Sequence, residues 1–504
     1  MRSKGYYTGN RKVALRSPHE ELWFGRFQAG AGSRVNNADV IVIGSGQGGV
    51  PLAAELASRG KRVVLFERGK LGGSCINYGC TPSKAFLAAA HSAGRARRAQ
   101  RLGIDVTVSV DFPRVMERVR SIVWSFGGGT HRRLAEAGVE VIHAEAAFTG
   151  ERIVSGAGIE VTAPVVVINT GTSAAIPDIA GLADTPCLTN ATFFNQTMPA
   201  RRFLVIGGGY IGLELGQGMA RCGSEVHVFH HSERVINNEE PEVSALLQES
   251  LVEDGIELHL NARTSAVSYA AGVFTVKLED GSNVEGDQLL VATGRTPNTA
   301  GLHAEASGIA LDKRGYVAID AQFRTSCAGV YSIGDVSGQP AFTHVSWEDH
   351  RRLLSILDGS NRTRDDRPLG YAMYTEPQLG RVGLTYEQAC ARGINARRAT
   401  VHLDSVARAI EWGEERGFHR IVIDADTDKI VGATLVGYEA AELVHILLAH
   451  IRCGSTWHVL DESVHIHPTY AEALPGLARL FALQPTEGEL GGFASATISG
   501  MQNT

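Results

Sequence analysis

Two stretches of this chain follow the same plan, and no other feature constrains its fold as tightly. ADVIVIGSGQGGVPLAAELASRGKRVVLFERG (Ala38 to Gly69) reads as an apolar strand, then Gly44, Gly46 and Gly49, a helix rich in Ala and Leu, and a second strand ending at Glu67. RFLVIGGGYIGLELGQGMARCGSEVHVFHH (Arg202 to His231) repeats it: strand, Gly207, Gly209 and Gly212, helix, strand. A lone G-x-G-x-x-G is weak evidence, but a strand before it and a helix after it make a dinucleotide fingerprint. The glycines let backbone amides at a helix N-terminus meet a pyrophosphate. Glu67 follows Gly49, and His230 follows Gly212, by the same 18 residues. Matched spacing implies two bound dinucleotides rather than a duplicated fold without ligands.

The strand ends separate the two units. Glu67 is placed to bind a ribose diol, whereas the second unit offers His230, His231 and Arg234 and no acid. An acid there selects free ribose hydroxyls and repels a 2'-phosphate, so the second unit points to NADPH, with NADH as the alternative. Two more glycine turns end strands further on. VATGRTPN (Val291 to Asn298) carries Gly294, and GVYSIGDVSG (Gly329 to Gly338) carries Gly334 and Asp335. The Asp335 carboxylate would accept hydrogen bonds from a polyol chain.

At 504 residues the chain exceeds what one hydrophobic core supports, so two to four domains are expected. A formal charge of -6 argues against nucleic acid or an anionic membrane as partner. The local run RARRAQR (Arg95 to Arg101) reads as one solvated helix face. No apolar run is long enough to span a membrane, and the N-terminus has neither an apolar h-region nor a small-residue cleavage site, so a cytoplasmic location is expected.

GGSCINYGCTPSK (Gly72 to Lys84) sets Cys75 and Cys80 five apart. No second pair of zinc-ligand spacing exists among Cys187, Cys222, Cys327, Cys390 and Cys453, so no metal site is expected. Seven cysteines in so long a chain are too few for a secreted disulfide framework. A redox pair and two unpaired buried cysteines both remain open. On an ideal helix the two Cα atoms would stand roughly 8.6 Å apart, beyond the roughly 7 Å a disulfide spans. Gly79 and Pro82 are the residues that would let the turn deform.

Together these motifs resemble the pyridine nucleotide-disulfide oxidoreductases of the glutathione reductase and dihydrolipoamide dehydrogenase type, over roughly residues 38 to 483. GGSCINYGCTPSK looks like that family's redox-active disulfide segment, HIHPTYAEAL (His465 to Leu474) its C-terminal catalytic segment, and YTEPQLGRVGLT (Tyr374 to Thr385) its interface-domain entry. The resemblance implies an α/β fold with two Rossmann-like domains, for FAD and NAD(P), and a C-terminal α+β dimerisation domain. The expected division is an N-terminal extension over 1–37, the FAD domain over 38–185 and 300–355, the NAD(P) domain over 186–299, the interface domain over 365–483 and a tail over 484–504.

The resemblance also implies roles. Cys80 would lie against the flavin as a charge-transfer thiolate, and Cys75 would attack the substrate disulfide. Lys84 would sit near the flavin, paired with Glu214, and Tyr210 would cover the nicotinamide pocket. His467 would be the acid-base of a homodimer whose sites mix both subunits, with Glu472 fixing its tautomer. His344 would flank the flavin, and Gly171 of NTGTSAAIPDIAGL would join the cofactor-binding set. Thr469 and Glu472 also form a T-x-x-E capping box, and His465 reads as a surface histidine. The tail lacks the cysteine pair of mercuric reductases, yet other stretches resemble the mercuric-reductase-like branch. The substrate class therefore stays broad: a small disulfide, a metal ion or an oxidant. An NAD-linked dihydrolipoamide dehydrogenase and a flavin-bound redox sensor without turnover are the alternatives.

Overall fold

The computed structural model describes residues 35 to 483, and the expectations for 1–34 and for the tail over 484–504 lie outside the described residues. Of the expected extension over 1–37, three residues are described. Val35–Asn37 is a strand, paired in parallel with Glu160, Val161 and Thr162. Its short polar sequence has no apolar alternation, so only the backbone ladder reveals it.

The first fingerprint lies in a five-stranded parallel sheet ordered Val330–Ser332, Val165–Ile168, Val40–Ile43, Val63–Phe66, Glu140–Ile142. Val40–Ile43 and Val63–Phe66 are buried at every position, as strands covered on both faces must be. The second fingerprint builds a four-stranded parallel sheet ordered Ile256–His259, Glu225–Phe229, Arg202–Ile206, Gln288–Val291. Val330–Ser332 closes the first sheet only after the second has been completed. The two crossings run side by side, Thr172–Ala174 against Arg295–Pro297. The C-terminal part is a five-stranded antiparallel sheet, Gly370–Met373, Gln378–Gly383, Ile430–Gly437, Phe418–Asp424, Ala396–His402, with the helices Ala440–Cys453 and Ala473–Leu483. The architecture is thus α/β, with two Rossmann-like units and an α+β C-terminal unit.

Two helices organise the centre. Cys80–Arg98 begins at the cysteine segment, and Tyr210–Arg221 begins at the second glycine turn. They pack on one another, and Phe86 of the first holds an edge-to-face aromatic cluster with Phe193 and Phe112, centroids 5.4 and 6.3 Å away.

At their far ends Arg95, Arg97 and Arg101 are exposed, as a solvated face requires, but the run also makes long-range pairs. Arg95 Nε and Arg98 Nη2 donate to the Glu376 carboxylate at 2.6 and 2.9 Å, and buried Arg221 donates to the same group. Arg97 donates to the Arg221 carbonyl at 2.6 Å. Glu376 lies 281 residues from Arg95, so the local charge pattern cannot reveal it. Burial alone would raise the Glu376 pKa, but Arg221 and its neighbours outweigh it and hold the pKa at about 2.

Candidate active site

Both glycine turns are built the same way. Gly44 and Gly207 are left-handed, with φ +100 and +121. A Cβ at Gly49 would stand 2.2 Å from the Gly44 oxygen, and one at Gly212 2.1 Å from that of Gly207, so each fingerprint helix can start there only with hydrogen at its third glycine. The middle glycines differ. A Cβ at Gly209 would meet nothing within 4 Å, which leaves open space beside that backbone. One at Gly46 would stand 2.9 Å from Asn169 Oδ1, the atom that accepts from the Gly49 amide at 2.8 Å. Asn169, 123 positions on in the sequence, thus adds its own demand for a glycine at Gly46.

The strand ends match too. Glu67 Oε2 accepts from the Ser45 amide at 2.9 Å, and His230 Nδ1 accepts from the equivalent Gly208 amide at 3.2 Å. With Nδ1 accepting, the His230 proton sits on Nε2, which is buried without a well-formed partner. Burial, helped by His231, lowers its pKa and keeps the ring neutral.

The first cradle fits FAD. Glu67 offers acceptors for a ribose diol, and Thr170 Oγ1 is buried with no partner. Gly171 and Gly294 would carry a Cβ with nothing within 4 Å, so both turns face open space. Asp335 follows Gly334 at the end of Val330–Ser332; its Oδ2 accepts from Thr172 Oγ1 at 2.9 Å, and burial pushes its pKa up. The second cradle fits a pyridine dinucleotide. Beside the His230 Nε2–H, Arg234 has Nε and Nη1 buried without hydrogen-bond partners, its Nε standing 3.7 Å from Glu233. Tyr210 starts the helix of that cradle, and its hydroxyl donates to Glu239 Oε1 at 2.5 Å, as does the Tyr371 hydroxyl.

The cysteine segment is not one helix. Gly73–Asn77 stops, Tyr78 and Gly79 break the chain, and Cys80–Arg98 begins. Gly79 has φ -124 and ψ -116, and a Cβ on it would come within 3.0 Å of the Ser74 oxygen and 3.4 Å of Cys75 Cα. This fold-back brings the two thiols close enough for each to shift the other's acidity. The neighbouring Cys75 thiol lowers the Cys80 pKa to about 6, against opposing burial and with help from Thr343 and Lys84; Cys80 raises that of Cys75, as burial also does. The Thr343 hydroxyl is 3.1 Å from Cys80 Sγ.

Lys84, one turn along, pairs with Glu214 Oε2 at 2.7 Å and lies 4.4 Å from the Tyr374 ring centroid. Glu214 Oε1 accepts from the Tyr374 amide at 2.9 Å. His344 has its Nε2 2.6 Å from the Gly370 oxygen and its ring stacked on Phe342 at 5.5 Å. Thr343, its neighbour in AFTHVSWEDH, is the side chain that reaches Cys80. Sequence reasoning missed it, together with Tyr371, Tyr374 and Glu239, because their partners are far away in the chain.

In the C-terminal segment His467 Nδ1 meets Glu472 Oε2 at 2.8 Å, and the imidazole side chain is 74% exposed. Thr469 Oγ1 accepts from the Glu472 amide at 3.2 Å. The two readings of this segment coexist: Thr469 caps the turn while the Glu472 carboxylate turns to His467. His465 is tied to Ser463 and the Ala471 carbonyl at 3.0 and 2.6 Å, and so has a structural role.

Two nucleotide cradles joined at a thiol pair define a flavin-dependent disulfide oxidoreductase. The chain belongs to the pyridine nucleotide-disulphide oxidoreductase family, whose model matches residues 38–349 and whose dimerisation domain matches residues 370–478. It is 34% identical over 456 residues to a mercuric reductase of Streptomyces lividans, covering 88% of this chain and 96% of that one. It is 33% identical over 446 residues to a dihydrolipoyl dehydrogenase of Thermus scotoductus, covering 86% and 95%. Among solved structures, the HOCl-induced flavoprotein disulfide reductase RclA of Escherichia coli superposes with a TM-score of 0.80 at 29% identity, covering 88% of this chain and 99% of that one. Among the described residues no helix is long and apolar enough to cross a membrane.

Proposed function

We propose that this enzyme takes electrons from NADPH, by way of FAD, into a redox disulfide of Cys75 and Cys80, and passes them to an external disulfide, metal ion or oxidant. The observation that carries this reading is the fold-back at Gly79, which sets Cys75 against the start of the helix Cys80–Arg98, where the Thr343 hydroxyl reaches Cys80 Sγ at 3.1 Å; the same surroundings lower the Cys80 pKa and raise that of Cys75. FAD, when bound, supplies the two-electron link between pyridine nucleotide and sulfur. With a disulfide substrate, Cys75 gives its proton to His467 of the partner subunit and attacks one sulfur, the substrate S–S bond breaks, and the departing thiolate takes that proton back from His467 of the partner subunit. The Cys80 thiolate then attacks Cys75 Sγ, expelling the second half of the substrate as a thiolate and closing the Cys75–Cys80 bond. Glu472 holds the imidazole tautomer that does this work. A sensor that never turned over would have no use for that dyad.

A homodimer is supported by the exposed apolar strip around the dyad, where Val464 and Ile466 are 97% and 78% exposed, and by the dimerisation-domain match. Seven free thiols suit the reducing cytoplasm. NADPH is favoured because the strand end carries the neutral ring of His230 where an acid would repel a 2'-phosphate, with the cation of Arg234 close by in the sequence. Steady-state kcat/KM for NADPH is therefore expected to exceed that for NADH by about 10-fold or more, the weight of a contact of about 1.4 kcal/mol. His230→Glu should reverse the preference, because Glu retains the bond to the Gly208 amide, as Glu67 does with Ser45, while adding a negative charge. A wild-type enzyme that prefers NADH would overturn the assignment.

A further inference from the structure

Away from the thiols, the sheet of the second fingerprint repeats a short pattern on adjacent strands: Glu225-Val226-His227 and Glu257-Leu258-His259. The strands run parallel with His227 opposite Glu257, so all four polar side chains project from one face. His227 Nδ1 stands 3.1 Å from His259 Nε2 and 3.4 Å from Glu257 Oε2, and His259 Nε2 is 3.3 Å from Glu257 Oε1. A tetrahedral ion with bonds of about 2.05 Å has ligand-to-ligand edges of roughly 3.35 Å. The two imidazole nitrogens and the two oxygens of the Glu257 carboxylate thus stand at spacings close to such edges, and one ligand atom from each of the three residues lies within 4.8 Å of the others. Behind them His227 Nε2 meets Glu225 Oε1 at 3.1 Å, while Arg202 holds the same carboxylate at 2.9 Å. A proton on Nε2, donated to Glu225, leaves the Nδ1 lone pair facing the other two ligands, which is the carboxylate-histidine-metal arrangement.

We propose that His227, His259 and Glu257 bind a divalent transition ion of zinc's type, with Glu225 orienting His227 and the fourth position open to solvent on the exposed Glu257 side. The expectation of no metal site rested on cysteine spacing, which is blind to ligands that two strands bring together. Two imidazoles and one carboxylate favour zinc or copper over magnesium or calcium, which prefer oxygen ligands. The ion would clip the edge strand Ile256–His259 to Glu225–Phe229. The His259 carbonyl accepts the His230 amide at 2.9 Å, so the clip would lie next to the second nucleotide cradle.

The test is zinc uptake by equilibrium dialysis on the flavin-loaded enzyme, oxidised and with its remaining thiols alkylated, so that sulfur ligands are blocked. Wild type is expected to hold one zinc per chain more than His259→Ala or Glu257→Gln, both replacements at partly open positions. Glu225→Gln should weaken binding by about 10- to 100-fold. Zinc should raise the Tm of wild type but not that of the two ligand variants. Equal uptake by wild type and both variants, with flavin spectra unchanged, would show instead a proton-sharing trio without metal affinity and would overturn the proposal.

Discussion

Replacing Cys75 by serine is expected to abolish turnover with disulfide substrates, a loss on the order of 10⁴-fold or more, and to colour the resting enzyme. Without its partner sulfur Cys80 cannot close a disulfide, so a thiolate at Cys80, on the proposed placement beside the flavin, should add an absorption band on the long-wavelength side without any reductant. Serine keeps a hydroxyl that can still donate to Cys80, and Thr343 and Lys84 remain. The band should therefore appear as pH rises, with a midpoint between about 6 and the ordinary thiol value of 9.0. The sign is that of an acid: the coloured species dominates above the midpoint and fades below it. Cys80→Ser should bind FAD equally well and show no such band at any pH. A band in Cys80→Ser, or its absence from Cys75→Ser, means that the two sulfurs have exchanged roles.

His467→Ala is expected to lower disulfide turnover by about 10² to 10⁴, the usual weight of a general acid-base, while flavin reduction by NADPH survives. The fold should tolerate the change, since the ring is largely exposed and the Thr469 cap does not depend on it. Subunit mixing sharpens the test. When His467→Ala and Cys75→Ser chains are exchanged, each heterodimer holds one site with both cysteines from one chain and the histidine from the other, and activity should return. Heterodimers that form and stay inactive would place His467 in the service of its own chain, against the shared-site reading.

Both nucleotide turns were legible because their constraint is local: a strand, three glycines and a helix leave a fixed spacing, and the chain's only freedom is what stands at the strand end. Even there Gly46 answers to Asn169, a neighbour the fingerprint does not contain. The cysteine segment was half legible. Its spacing left a helix and a fold-back both open, and the break at Tyr78 and Gly79 decides between them through a contact with Ser74 and Cys75 that an ideal helix would not make. Long-range partners were out of reach. Thr343 meets Cys80 across 263 residues, Tyr371 meets Glu239 across 132, and Glu376 gathers arginines from two helices. The paired E-x-H strands were visible as text, but only the register of Glu225–Phe229 against Ile256–His259 makes them a cluster.

The helices Cys80–Arg98 and Tyr210–Arg221 are fastened to one another twice. Near their starts Lys84 is pinned to Glu214, and near their ends Arg98 and Arg221 share Glu376. Lys84 and Arg98 are separated by roughly 21 Å of helical rise. Two bodies joined at one point can pivot, but joined at two such distant points they keep a common axis, like a door hung on both hinges with the pins driven home. The thiol pair therefore cannot swing relative to the second nucleotide turn unless one of these ionic joints breaks. The Tyr210 side chain, held to Glu239 by one hydrogen bond, can move without breaking either joint.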